Sequence, residues 1–159
     1  NIALVTGPME EDCSQDRAEG YRRALQEAGI AYDESKVLEG DWSASSGQRA
    51  LLSFVESGNV PTAVFAQNDR MALGVLRAAR DVNLKVPSQL AVIGVDDMPL
   101  SSYFDPPLTT MQQDMPLIGQ EATRMLLEII QKKTPAVREL KLSAQLVIRQ
   151  STSDKGGDS

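Results

Sequence analysis

The hydrophobic positions of this chain switch repeatedly between a strand period and a helix period, and the order of the switches predicts an architecture. IALVTG is a short apolar run closed by Gly7-Pro8, as a buried strand followed by a turn would be. Ala18, Tyr21, Leu25 and Ala28 then recur at three- and four-residue spacing up to Gly29, which stands where a helix-ending glycine belongs. YDESKVLEGD is a mostly polar candidate for an edge strand. Leu51, Phe54 and Val55 mark one face of a helix from about Ser46 to Ser57, stopped by Gly58-Asn59 and Pro61.

Strand TAVFA leads into a helix from about Asp69 to Val82, in which Met71, Ala72, Leu73, Val75, Leu76, Ala78 and Ala79 leave little polar face. A helix apolar nearly all round is covered on two sides, here by the sheet and by something else. LAVIGV has the continuous apolar character of a strand buried on both faces. After the irregular loop MPLSSYFDPP and a short β-prone LTTM comes a helix from about Met115 to Gln131. Asp114 is placed to cap it, Ile118, Ala122, Met125, Ile129 and Ile130 form its stripe, and Lys132, Lys133 and Pro135 end it. QLVIRQ is the last strand, and the polar tail STSDKGGDS, residues 151–159, is expected to be disordered.

Strands alternating with helices in this way specify an α/β fold with a doubly wound parallel sheet. Ligands of such sheets bind outside the carboxyl ends of the strands. TAVFA and LAVIGV each run into a polar pair there, Asn68-Asp69 and Asp96-Asp97. Length adds that 159 residues make one domain or two small lobes. The formal net charge of −6 argues against a grip on phosphates, because nucleic-acid affinity rests on a basic footprint. With no histidine and the single cysteine Cys13, the usual zinc ligands and His-based triads are missing, and no cofactor is expected. One cysteine without a signal-like or membrane-spanning run fits a reducing, cytoplasmic setting. The start at Asn1, straight into a strand, suggests a fragment of a longer protein.

The motifs EGDWS, VPTA, NDRMALG, VIGVDD, PPLTT and QQD, in that order, resemble the effector-binding core of the LacI/GalR transcriptional regulators over about residues 1 to 150. The resemblance implies a periplasmic-binding-protein-like core of two lobes with a small effector, such as a sugar, held between them. It places residues 1–112 in the C-terminal lobe, 113–139 in a crossover and helix that go with an N-terminal lobe, and 140–150 in a strand returning to the C-terminal lobe. The N-terminal lobe and the DNA-binding head would lie outside this chain. The implied partners are a sugar, galactosides among the candidates, a second copy of the chain in a homodimer, and operator DNA reached only through the head. The implied setting is the bacterial cytoplasm, with no membrane partner.

Residue by residue, the resemblance gives Arg17, Trp42, Asn68, Asp96 and Gln113 as ligand-binding positions. Their chemistry suits a carbohydrate. Asp96 accepts hydroxyl protons, Asn68 and Gln113 both donate and accept, Arg17 offers a rigid donor fork, and Trp42 offers a flat face to C–H groups. Each also has an ordinary explanation: a helix cap for Asn68, a turn for Asp96, packing for Trp42, a solvated charge for Arg17 and a polar loop for Gln113. Met115 stands where the family often carries an aromatic. The family's dimer surface falls on Met71 and Leu73 of the apolar helix and on Tyr103 and Phe104 of the following loop, whereas a helix simply central in its layer needs no partner. Two rival classes remain at this level. One is a periplasmic sugar receptor; the other is a glycosidase pairing Asp41 with Asp96 or Asp97, which needs a carboxylic acid of raised pKa opposite a second carboxylate.

Overall fold

The computed structural model describes residues 1–131 and 139–153. Five strands run parallel: β1 (Ile2–Thr6), β2 (Val37–Glu39), β3 (Ala63–Ala66), β4 (Ala91–Asp96) and β5 (Thr109–Gln112). A sixth, β6 (Gln145–Val147), pairs antiparallel to β5 and completes the order β2-β1-β3-β4-β5-β6. The direction of strand addition reverses between β1 and β3, which creates the crevice where doubly wound sheets bind ligands. Four α-helices accompany the strands: α1 (Asp12–Glu27), α2 (Ala44–Glu56), α3 (Asp69–Asp81) and α4 (Met115–Ile130).

Strand alternation sorts the core into two layers. On one face, Leu4 of β1 packs with Ala18, Tyr21 and Leu25 of α1; on the other, Ala3 and Val5 join Leu51, Phe54, Val64, Met71, Val75 and Val92 beneath α2 and α3. Ala28 is exposed, because α1 ends one residue earlier and Gly29, at φ +67°, turns the chain away. The polar second unit contributes only the three residues of β2, since Glu34–Lys36 form a helical turn capped by the Asp33 side chain. Ser43, whose side chain accepts from the Ser46 N–H, starts α2 ahead of the predicted Ser46.

The second apolar side of α3 is covered from within the chain. A Cβ on Gly47 would lie 2.0 Å from the Met71 carbonyl oxygen, and one on Gly74 would lie 1.8 Å from that of Ala44, so two glycines let the backbones of α2 and α3 touch. What α3 shows outward is a stripe of Arg70, Leu73, Arg77 and Arg80. This corrects one expected surface position. Met71 is fully buried against α2 and the sheet and cannot meet a partner, whereas Leu73 is 40% exposed, Tyr103 is 83% exposed and Phe104 half-buried.

α4 begins as expected, with Asp114 Oδ1 accepting from the Leu117 N–H at 2.9 Å, and carries no buried residue. Its end is capped by Gln131, and Lys132, Lys133 and Pro135 lie outside the described residues. The expected disordered tail is corrected at its first residues. Ser151 is fully buried: its N–H donates to the Pro107 carbonyl, its carbonyl accepts from the Val92 N–H, and its hydroxyl joins Thr109 to Val92. Thr152 shares a hydroxyl hydrogen bond with Thr109. The rest of that expectation, residues 154–159, lies outside the described residues.

Candidate functional site

The loops leaving the carboxyl ends of β1, β2, β3 and β4 gather Arg17, Trp42, Asn68 and Asp96 into one region. Arg17 sits in the second turn of α1, half-buried, with Nη1 donating to the Gln67 carbonyl at 3.0 Å and its guanidinium 5.7 Å from the Trp42 ring centre. Trp42 adopts φ +64°, and its indole Nε1 donates to Glu11 Oε1 at 3.0 Å. The ring rests on Gly7, where a Cβ would stand 2.1 Å from it, so only glycine leaves room.

Asn68 is occupied structurally. Its Oδ1 accepts from the Met71 N–H at 2.8 Å as the cap of α3, while its Nδ2 donates to the Trp42 carbonyl at 3.1 Å. The carboxamide thus ties the start of α3 to the strained backbone of Trp42. Only one donor hydrogen and one lone pair are left over.

Asp96 closes β4 at φ +118° and Asp97 follows at φ +51°, two successive non-glycine residues in the left-handed half of backbone space. Such strain gathers at ligand sites. The Asp96 side chain opens to solvent on one side, but the surrounding protein mass pushes its pKa above the usual carboxylate value; Arg17 and Arg70 pull it down, while Asp69 adds to the rise. Asp97 is engaged elsewhere, accepting from Gln112 at 2.8 Å, with Arg149 Nη2 2.8 Å from its Oδ1, an ion pair by distance but without hydrogen-bond alignment.

Gln113 makes no side-chain hydrogen bond among the described residues, and it shares with Arg17 a cavity of about 290 Å³. Phe65, Val95 and Met111 of the sheet line it on its apolar side, together with Ile118 of α4 and the Asp114 that caps that helix. Ligand sites of about 300–1,000 Å³ combine an apolar wall with a few polar groups, and this cavity falls just short of that range. Asp41 is unsuited to protonating a leaving group: the Ser43 hydroxyl and N–H, then the Ser46 hydroxyl, hold its pKa well below the ordinary carboxylate range.

Gln67 and Glu11 had no distinct signal in the sequence, and Asp69 stood out only as half of a polar pair at the ligand end of the sheet. Gln67 is fully buried, accepting from the Gly7 N–H and donating to the Ser14 carbonyl, each at 3.0 Å, and so locks the loop after β1 onto β3. Asp69 is buried and accepts from Thr110 Oγ1 at 2.6 Å, from the Met98 N–H at 2.9 Å and from the Ser101 hydroxyl, anchoring the loop after β4. Both precede or begin a helix, where a polar residue is ordinary. Glu11 lies in the exposed run Glu10-Glu11-Asp12, whose composition suggests only a solvated loop.

Residues 1–152 match the model of the periplasmic binding protein-like domain. The chain belongs to that family. Within the family its relatives are LacI/GalR-type regulators. It is 39% identical over 149 residues to the HTH-type transcriptional repressor PurR of Vibrio campbellii, covering 94% of this chain and 45% of that protein. A solved dimeric Lac repressor with a C-terminal deletion superposes with a TM-score of 0.88 at 38% identity, covering 96% of this chain and 55% of the other. The complex of the transcriptional regulator CelR with cellobiose gives 0.86 at 38% identity over 94% of this chain and 46% of the other. This periplasmic-binding-protein-like chain spans about half the length of those relatives. They are regulators, not enzymes, and among its own described residues no helix is long and apolar enough to cross a membrane.

Proposed function

We propose that this chain is the effector-sensing and dimerisation part of a LacI/GalR-type repressor, and that a sugar is its effector. The observation that carries the proposal is the convergence of Arg17, Trp42 and Asp96 at the carboxyl ends of the strands, beside the cavity that Arg17 shares with Gln113. A pyranose laid there meets an aromatic face, a donor fork, a strained carboxylate and a free carboxamide. Asn68 contributes its remaining donor and lone pair and keeps Trp42 in place. The cellobiose complex of CelR supports the choice of ligand class.

α4 is exposed along Ile118, Leu126, Leu127, Ile129 and Ile130. On this proposal it packs in a second lobe, and residues 113–139 carry the chain across to it. Effector binding then favours one arrangement of the two lobes over the other, because a ligand shifts an equilibrium only by its differential affinity for the states. A second copy docks on Leu73, Tyr103 and Phe104. Operator DNA is met by a separate head, consistent with the acidic balance of this chain. Calorimetric titration of the full-length protein with galactosides, glucosides and pentoses tests the proposal. Saturable binding of one class that is lost in Arg17→Ala supports it, and no binding across the panel defeats it.

A further inference from the structure

We infer that Glu11 is a positioning and specificity-determining residue of this site: it fixes the angle of the Trp42 indole and gives the mouth of the cleft a negative charge that admits uncharged sugars and turns away phosphorylated or acidic ones. The inference about effector class rests on the sugar-binding proposal above; the electrostatic statement about Trp42 does not.

Three contacts define the pose of the indole. Gly7 supports the ring, Arg17 stands over it at 5.7 Å, and Glu11 Oε1 takes its N–H at 3.0 Å. Glu11 is the only one of these that restrains rotation in the ring plane, because it alone holds a directional bond to the ring edge. Its side chain does not cap α1, although it occupies the position just before that helix, so its contact with Trp42 is not a by-product of helix capping.

The charge balance around the indole decides the ligand class. Arg17 is the cation over the ring; its Nη1 donates to the Gln67 carbonyl, and its charge lies in the field of Asp96. Arg49 is paired with Asp41 at 3.4 Å, and Arg149 with Asp97 at 2.8 Å. Against these stand the carboxylates of Glu11 and Asp96, with Glu10 and Asp12 flanking Glu11 in the same exposed loop. Among the described residues Arg17 and Arg70 both lie in the field of Asp96, which offsets them, whereas Glu11, bonded to the neutral indole, adds a negative charge with no cation in ion-pair contact. Hydroxyl donors of a neutral sugar are served by the two carboxylates; a second anion is repelled by them.

The single tryptophan makes the field readable without any effector. Collisional quenching of Trp42 by caesium, iodide and neutral acrylamide is measured at constant ionic strength, with the signal assigned by subtracting the Trp42→Phe protein. At about 0.15 M salt the screening length is about 8 Å, so a carboxylate in hydrogen-bond contact with the indole still biases the ions that reach it. Caesium is expected to quench about twofold better than iodide, each relative to free tryptophan. Glu11→Gln keeps an acceptor for the indole N–H but drops the charge, and is expected to remove most of that bias while leaving the emission maximum in place. Glu11→Ala is expected to remove the bias and also to shift the emission and raise acrylamide quenching, as the ring loses its tether.

Iodide quenching equal to or stronger than caesium in the unmodified protein would show that Arg17 sets the field and would overturn the inference. The same holds for a bias unchanged in Glu11→Gln, and the unmodified protein decides the first point even if the variant does not fold. Titration of the full-length protein with glucose, galactose and cellobiose, and with the 6-phosphates of glucose and galactose, reads the effector class. A parent sugar is expected to bind at least about tenfold more tightly than its phosphate, a gap that narrows in Glu11→Gln. A phosphate that binds more tightly than its parent overturns the class assignment. Failure of every sugar defeats the sugar-binding proposal itself, while the quenching ratios still decide what Glu11 does.

Discussion

A carboxylate in a strained corner carries opposite obligations for folding and for binding, and Asp96 shows both. Its folded pKa is raised, so the folded state holds its proton to higher pH than the unfolded chain does. Charged Asp96 therefore opposes folding at neutral pH, and the opposition lifts as pH falls through the raised pKa towards the ordinary carboxylate value. Asp96→Asn is expected to leave the fold intact and make stability less dependent on pH in that window, as chemical denaturation at several pH values would show. Binding runs the other way. A hydrogen bond to a charged group contributes about 1.5–3 kcal/mol, so the same substitution should weaken effector affinity by that amount, and the affinity of the unmodified protein should fall as Asp96 is protonated. Equal affinity of the two proteins by calorimetry would remove Asp96 from the site. Gly7 gives a purely steric counterpart: Gly7→Ala drives a methyl into the Trp42 ring, at a cost of about 1–3 kcal/mol in stability and with a displaced indole visible in its emission.

Among elements, the pair α2 and α3 is where local preference and packing disagree. Helix propensity alone says that alanine at Gly47 or Gly74 should stabilise by about 0.8–1.0 kcal/mol. The contact says the reverse, because each new Cβ would meet backbone of the facing helix, which cannot swing aside as a side chain can. Gly74→Ala is expected to destabilise by about 1–3 kcal/mol or more in denaturant melts; a gain would mean that the helices slide apart cheaply.

The same pair marks a limit of what the sequence discloses. Strand and helix positions followed from hydrophobic period and punctuation, and with them the placement of Asn68 and Asp96 at the carboxyl edge, whereas Arg17 and Trp42 were given only by the family resemblance. What covers α3 did not, since two glycines in different helices carry no periodic signal until they are brought face to face. Glu11 and Gln67 escaped for a related reason: each acts through a partner some 30 or more positions away, and its own neighbourhood in the chain resembles any polar turn; Asp69 stood out as half of a ligand-side pair, but its anchoring of the loop after β4 did not. Met71 was misjudged because its side of α3 is apolar both for the sheet and for α2, and composition cannot separate an internal neighbour from a second molecule.

For the whole molecule, the outward stripe of α3 is mainly arginine, and Leu73 interrupts it at 40% exposure beside the loop that carries Tyr103. On the proposed assembly, Leu73→Asp buries an unpaired charge in a dry contact, which is strongly unfavourable. Sedimentation of the full-length protein is expected to show dissociation to folded monomers that still bind the effector, with operator affinity reduced because one head binds more weakly than two held together. A dimer that persists would move the interface elsewhere.

Ser151 has a consequence for the order in which this molecule can be made. Pro106 and Pro107 have no N–H with which to extend β5 alongside Val92, and it is Ser151, arriving after β6, that supplies the carbonyl and hydroxyl for that stretch. Until Ser151 is in place the Val92 N–H and carbonyl lack these partners, although the rest of β4 is already paired with β5. Completing the hydrogen bonding of the central strand therefore waits on a residue almost at the end of the described chain.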